Sequence, residues 1–174
     1  MCKIWPAITC KRQNKVLTWL VISLYNSPKL SIMDIKKLLI GGILAGILFF
    51  LLGWLAYANL FANFFAAHQG SAGNLMRADK DLQFLYLVIG NLSIGFALAF
   101  ILTKSNVSSM ASGLVTAAIV GLLFSVGNKT IMYATSTIIS KTAMAADVVI
   151  ITVMWAIAGA VVGAVMGMGK KTTV

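Results

Sequence analysis

Long apolar runs, nearly free of charge, alternate with short polar stretches along most of this 174-residue chain. A helix needs roughly 20 predominantly apolar residues to cross the hydrocarbon core of a bilayer. Four runs reach that length, and they predict spanning helices at about 38–58, 82–103, 110–133 and 145–168. The predicted fold is therefore an all-α membrane protein, a bundle of four transmembrane helices with short loops, formed by residues 33–171.

The first 32 residues differ from this pattern. They contain both cysteines and both prolines, and their hydrophobic stretch, Val16–Tyr25, is too short to span a membrane. No small-residue cleavage site follows that stretch, as it would in a signal peptide. The sequence MDIKKLLIGG, which begins at Met33, looks like a natural start. Two interpretations of residues 1–32 stay open: an error in the assigned start site, or a basic segment that lies on the membrane surface.

Composition and charge agree with a membrane protein. The chain is 60% hydrophobic and only 10% charged, whereas about a quarter of the residues in a soluble domain are charged. The net charge is +10, but the basic residues lie before the first span and at the ends of the apolar runs. That distribution is typical of topology signals, and it predicts the lipid bilayer rather than nucleic acid as the partner. Counted by side, it favours both termini in the cytoplasm.

Small residues recur at four-residue spacing on three of the spans. Apolar side chains gain little by leaving lipid for each other, so membrane helices associate where small residues let their backbones approach. The rows therefore predict helix-packing seams, either within one bundle or at a homodimer face or glycine-lined pore. The first span has Gly42, Gly46 and Gly53, the third has Gly113, Ala117 and Gly121, and the fourth has Gly159, Gly163 and Gly167.

Three polar residues fall within the spans and form a candidate intramembrane site. Asn91 lies near the middle of the second span, and its amide is too polar to face lipid. It is expected to contact either a solute or a neighbouring helix. Asn128 and Lys129 lie near the end of the third span. Lys129 is expected to pair with Asp147 across the third and fourth spans, or else to extend to the membrane surface.

Residues typical of catalysis or of driven transport are missing from the predicted spans. The chain has no glutamate, and each of its four aspartates is expected outside a span or at its edge. Because proton-coupled transporters generally use an ionisable group inside the membrane, this class is disfavoured. His68 is expected to be a solvated loop residue. No nucleophile–base pair, phosphate-binding loop or metal-ligand spacing is recognised, so the sequence predicts neither an enzyme, a cofactor nor a metal.

The stretch GGILAGILFFLLGWLAYANLF at 41–61, in which a small-residue start leads into an aromatic exit, carries a family resemblance. Together with the polar loop, the second span with Asn91 and the glycine-rich last span, it resembles a family of small uncharacterised four-span proteins of the bacterial inner membrane. The resemblance covers about 33–170 and departs at residues 1–32. It implies the topology and the location, but it supplies no activity and no catalytic residues.

Two functions from different classes remain. The first is a structural or accessory membrane protein that packs against itself or another membrane protein, through a seam at Gly42, Gly46, Gly121, Gly159 and Gly163. The second is a passive channel or transporter for a small solute, in which Asn91 and Asn128 face a polar path. A polar cavity that reaches Asn91 would favour the second function, and a dry core would favour the first.

Overall fold

The computed structural model describes residues 32–72, 77 and 81–168, so that, apart from Ile32, the N-terminal extension lies outside the described residues. The first helix continues directly into a π-helical segment, Trp54–Leu60, and four further helices follow. The helices are α1 (Ile32–Gly53), α2 (Ala62–Ala67), α3 (Phe84–Lys104), α4 (Met110–Thr135) and α5 (Lys141–Gly167).

Four helical stretches are long and apolar enough to cross a membrane: Ile35–Leu60, Phe84–Lys104, Met110–Thr135 and Lys141–Gly167. At about 1.5 Å per residue the longer ones extend roughly 40 Å, which exceeds a hydrocarbon core of about 30 Å. The predicted all-α fold with four spans is confirmed, and the protein is a multi-pass membrane protein. We call the end of the bundle where α1 begins the near end, and the opposite end the far end.

Serine caps define where the last two spans begin. The side-chain oxygen of Ser109 accepts a hydrogen bond from the backbone N–H of Ser112 at 3.2 Å, and Ser140 accepts one from Ala143 at 3.2 Å. Such bonds satisfy backbone donors that have no partner in the first turn of a helix. Helix α5 consequently begins at Lys141, four residues before the predicted start at 145.

The interior is built mainly from small side chains, and large apolar side chains cover the outside. Ala99 and Ala117 are fully buried, and Trp155 is the largest side chain in the core. By contrast Leu85 and Leu123 are more than two-thirds exposed. Helices that are apolar on every side suit a lipid environment, in which an outward leucine costs nothing.

The far end is closed by contacts between two connectors. After α2, the backbone N–H of Gly70 donates to the carbonyl oxygen of Ile138 at 3.1 Å, and the Ser140 hydroxyl donates to the carbonyl oxygen of His68 at 2.6 Å. The His68 ring stacks on Phe64 and its Nδ1–H donates to the Phe64 carbonyl oxygen at 2.9 Å. His68 lies in the turn that ends α2, as expected of a loop residue, and it is half-buried because it supports this connection.

Candidate functional site

In the near half of the bundle, α1 and α3 touch backbone to backbone. A Cβ atom on Gly95 would lie 2.6 Å from the carbonyl oxygen of Gly42, and one on Gly46 would lie 2.9 Å from the Cα of Leu92. Real Cβ atoms essentially never come within 3.0 Å of another heavy atom. Two of the predicted seam glycines, Gly42 and Gly46, therefore lie in a contact that only glycine allows, with Gly95 as their partner on α3.

A second seam joins α4 to α5. A Cβ atom on Gly113 would lie 2.9 Å from the Cα of Gly163, and one on Gly167 would lie 3.0 Å from the carbonyl carbon of Ser108. The remaining row residues, Ala117, Gly121 and Gly159, lie in the same contact. Both seams therefore join helices of one chain, so these glycines are already engaged and do not face a partner.

Gly53 does not belong to either seam. A Cβ atom there would meet only the methyl group of Met154, at an ordinary 3.7 Å. Gly53 lies two turns beyond Gly46, outside the backbone contacts of the seams and next to Met154 of α5. Gly53 instead borders the π-helical segment and lines an open groove.

The far half holds a cluster of three polar side chains, Tyr57, Lys129 and Asp147, which we call the polar cluster. The Lys129 ammonium group pairs with Oδ2 of Asp147, and the Tyr57 hydroxyl donates to Oδ1 of the same carboxylate. Asp147 is only 4% exposed. The cluster ties α4, α5 and the end of the first span together at the level where the tight glycine contacts have ended.

The position of Asp147 corrects a prediction. It was expected at the edge of a span, but it lies six residues inside α5 and is buried. The reason is the Ser140 cap, which starts α5 early and places Asp147 about 9 Å along the helix from its first residue. The bundle thus contains a buried acid within a spanning helix. The sequence analysis expected no such acid, and that expectation no longer counts against proton-coupled transport.

The sequence analysis did not identify Tyr57 as a member of this cluster, since it lies among the aromatic residues that end the first span, and such residues are typical of the membrane surface. A signal was present in the sequence. Gly53 lies seven residues after Gly46, and Tyr57 lies four residues after Gly53, which places the three residues on the same face of the helix. A tyrosine on the packing face points into the bundle, where its hydroxyl needs a partner.

The two candidate asparagines are not brought together. The Asn91 amide donates to the carbonyl oxygen of Leu87, one turn earlier in its own helix, at 2.8 Å. Asn128 is exposed on the outside of α4. The structure therefore contradicts the expectation that both asparagines face one polar path.

A half-open groove of about 730 Å³ lies in the far half, between the first span and α3. Its walls are mostly aromatic and aliphatic, and it ends near Asn91, because the backbones of α1 and α3 meet at Gly46 and Leu92. Trp54 and Phe84 are about 60% exposed and form its rim. The lining includes Phe49, Trp54, Tyr57, Phe84, Asn91 and Met154.

The chain was compared with family models, with characterised protein sequences and with solved structures, and none of them matches it. The resemblance to small four-span proteins of the bacterial inner membrane therefore stays a prediction.

Proposed function

We propose that this protein is a non-enzymatic accessory membrane protein, which acts by packing the outward face of α4 against another membrane helix. The observation that carries the proposal is the exposed amide of Asn128 within an apolar span. Asn128 lies seven residues before the end of α4 at Thr135, which is about 10 Å along the helix. Polar side chains at such depth almost always face protein or water rather than lipid.

The surroundings of Asn128 suit a helix contact. Its neighbour Gly127 has nothing within 4 Å of the place where a Cβ atom would stand, so a second backbone can approach there. Leu123 and Ile131 flank the site and are 69% and 65% exposed. We call Leu123, Gly127, Asn128 and Ile131 the α4 outer face. An amide both donates and accepts hydrogen bonds, so it suits a second copy of this chain as well as a different membrane protein.

The alternative, a passive channel or transporter, has less support. The groove reaches Asn91, but among the described helices it stops there, and the near half is packed by backbone contacts at both glycine seams. A solute path would need those seams to separate. The test is the Asn91→Leu variant in vesicles loaded with a candidate solute. If the variant is more stable and the solute flux does not fall, the transport hypothesis is contradicted.

The location is part of the same proposal. We place the protein in a bacterial inner membrane with the near end in the cytoplasm, since Lys36, Lys37 and Lys104 lie at that end. Lysine is enriched on the cytoplasmic side of spanning helices. The test is the labelling of single cysteines at positions 36 and 141 in intact cells by a membrane-impermeant reagent, which is expected to reach only position 141.

The packing proposal is tested by a photo-reactive amino acid placed at position 131 on the α4 outer face. In the native membrane it is expected to give a discrete crosslinked product, and Asn128→Leu is expected to abolish that product. The matched control is the same amino acid at position 85, which is equally exposed on α3. A smear of lipid adducts at both positions, unchanged by Asn128→Leu, would contradict the proposal.

A further inference from the structure

The groove has the size and position of a ligand site in the membrane. Its volume of about 730 Å³ falls within the roughly 300–1,000 Å³ of ordinary small-molecule sites. It lies between spanning helices and is half open, so a molecule dissolved in the bilayer can enter it without crossing water. Its floor is Met154 of α5, a flexible side chain that can adapt to an occupant.

Local backbone structure keeps the groove open. The glycine contacts near Gly46 hold α1 and α3 together, and the first span turns π-helical beyond Gly53. Single π-helical turns occur frequently at functional sites, because the extra residue in the turn redirects the side chains. Gly53 itself contributes no side chain, and a Cβ atom there would clash with nothing. The space is thus created by backbone geometry on one side of the bundle.

The lining of the groove is polar at a few points and uncharged. No charged side chain stands among the described residues that line it. The Asn91 amide uses one N–H for Leu87, which leaves a second N–H and the amide oxygen for an occupant. The Tyr57 hydroxyl donates to Asp147, so its oxygen can still accept. Because a charged head group would lose its hydration here without gaining an opposite charge, an uncharged head group fits.

We propose that the groove binds an uncharged long-chain lipid, whose hydroxyl or carbonyl groups bond to Asn91 and Tyr57 and whose chain lies between Phe49, Trp54 and Phe84. The lipid is matched to the groove by its lack of charge and by its paired donor and acceptor groups. The proposal does not depend on the proposed packing function, since the α4 outer face contributes nothing to the groove lining.

Trp54 provides the probe, because its indole stands at the rim of the groove. The experiment uses the full chain in phosphatidylcholine vesicles, with Trp5, Trp19 and Trp155 replaced by phenylalanine. Brominated dioleoylglycerol, which quenches tryptophan on contact, is added at increasing mole fraction. We expect saturable quenching, several-fold stronger than with brominated phosphatidylcholine at the same mole fraction.

Two variants assign the quenching to the groove. Gly53→Leu fills the space, and Asn91→Leu removes the amide, so each is expected to abolish the preference for the diacylglycerol. Ser93→Ala is the matched control, because Ser93 makes the same kind of bond to its own helix, to Ile89 at 2.8 Å, but lies outside the groove. Equal quenching by both lipids, a preference for the phospholipid, or a preference that survives both groove variants would overturn the proposal.

Discussion

Removing the ammonium group of Lys129 should destabilise the protein more than removing the carboxylate of Asp147. The two side chains form one ion pair, but their surroundings differ: the Asp147 side chain is 5% exposed and that of Lys129 is 21% exposed. Lys129→Met strands a carboxylate deep in the bundle, where only the Tyr57 hydroxyl is left to it. Asp147→Leu leaves a flexible lysine that can extend toward the far surface.

The loss in free energy of unfolding can be worked out for each variant from this geometry. Removing one partner of a buried ion pair typically costs about 3–5 kcal/mol. The Tyr57 hydroxyl stays bonded to the stranded carboxylate, which limits the loss. We therefore expect about 3–4 kcal/mol for Lys129→Met. For Asp147→Leu we expect only about 1–2 kcal/mol, chiefly from the lost hydrogen bond of Tyr57. The double variant should lose about as much as Asp147→Leu alone, about 1–2 kcal/mol, because it loses the same hydrogen bond of Tyr57 while its apolar pair needs no solvation.

The measurement is reversible unfolding in mixed micelles, with Lys141→Met as the control, since Lys141 is exposed at the first residue of α5. The control substitution should leave the free energy of unfolding unchanged. Independent substitutions add within about 0.5 kcal/mol, so strict additivity of Lys129→Met and Asp147→Leu would show that the two side chains do not interact. A smaller loss for Lys129→Met than for Asp147→Leu would contradict the deeper burial of the carboxylate.

Other expectations follow from single contacts. Gly95→Val should cost about 1–3 kcal/mol through overpacking and Gly90→Val almost nothing, because nothing lies within 4 Å of the Gly90 Cβ position; equal melting temperatures would contradict the backbone seam. Tyr57→Phe should cost about 1–2 kcal/mol by leaving Asp147 with one partner fewer, and an unchanged unfolding midpoint would show that the hydrogen bond is unimportant. Asn91→Leu should leave stability nearly unchanged, since the amide bonds only within its own helix; a large loss in the same unfolding assay would mean that it supports another helix.

The sequence contains most of the information about how α4 and α5 meet. The small residues on α4 recur every four residues from Gly113 onward, and Lys129 continues that row. Asp147 continues the α5 row of Gly159 and Gly163 in the same way. Because side chains four residues apart share a face of a helix, the packing of the rows brings the two charges together. The pair could therefore be predicted from spacing alone.

The groove and the α4 outer face could not be predicted in this way. Periodicity assigns a residue to a face, but it does not say which face is covered by a neighbouring helix. Asn128 follows directly on Gly127 in an apolar span, a pattern that would suit an inward position equally well. The groove depends on where α1 and α3 separate and on the π-helical turn at Trp54. Neither feature can be recognised from the amino-acid composition of the spans.

The division of the bundle into two halves has a physical consequence. Backbone contacts hold the near half, and a substitution there must displace main-chain atoms. Between the spanning helices of the far half, side chains of the polar cluster and the groove supply the contacts, and side chains can exchange one partner for another. We therefore expect motion between the spanning helices to be concentrated in the far half, between Tyr57 and Asn91.

The most direct test of the packing function is native mass spectrometry of the protein released from its own membrane, compared with the Asn128→Leu variant. We expect a complex of fixed composition, either a homo-oligomer or an assembly with another membrane protein, and we expect the variant to lose it. A bare monomer in both samples, or a complex that survives the substitution, would contradict the claim that the α4 outer face is where this protein acts.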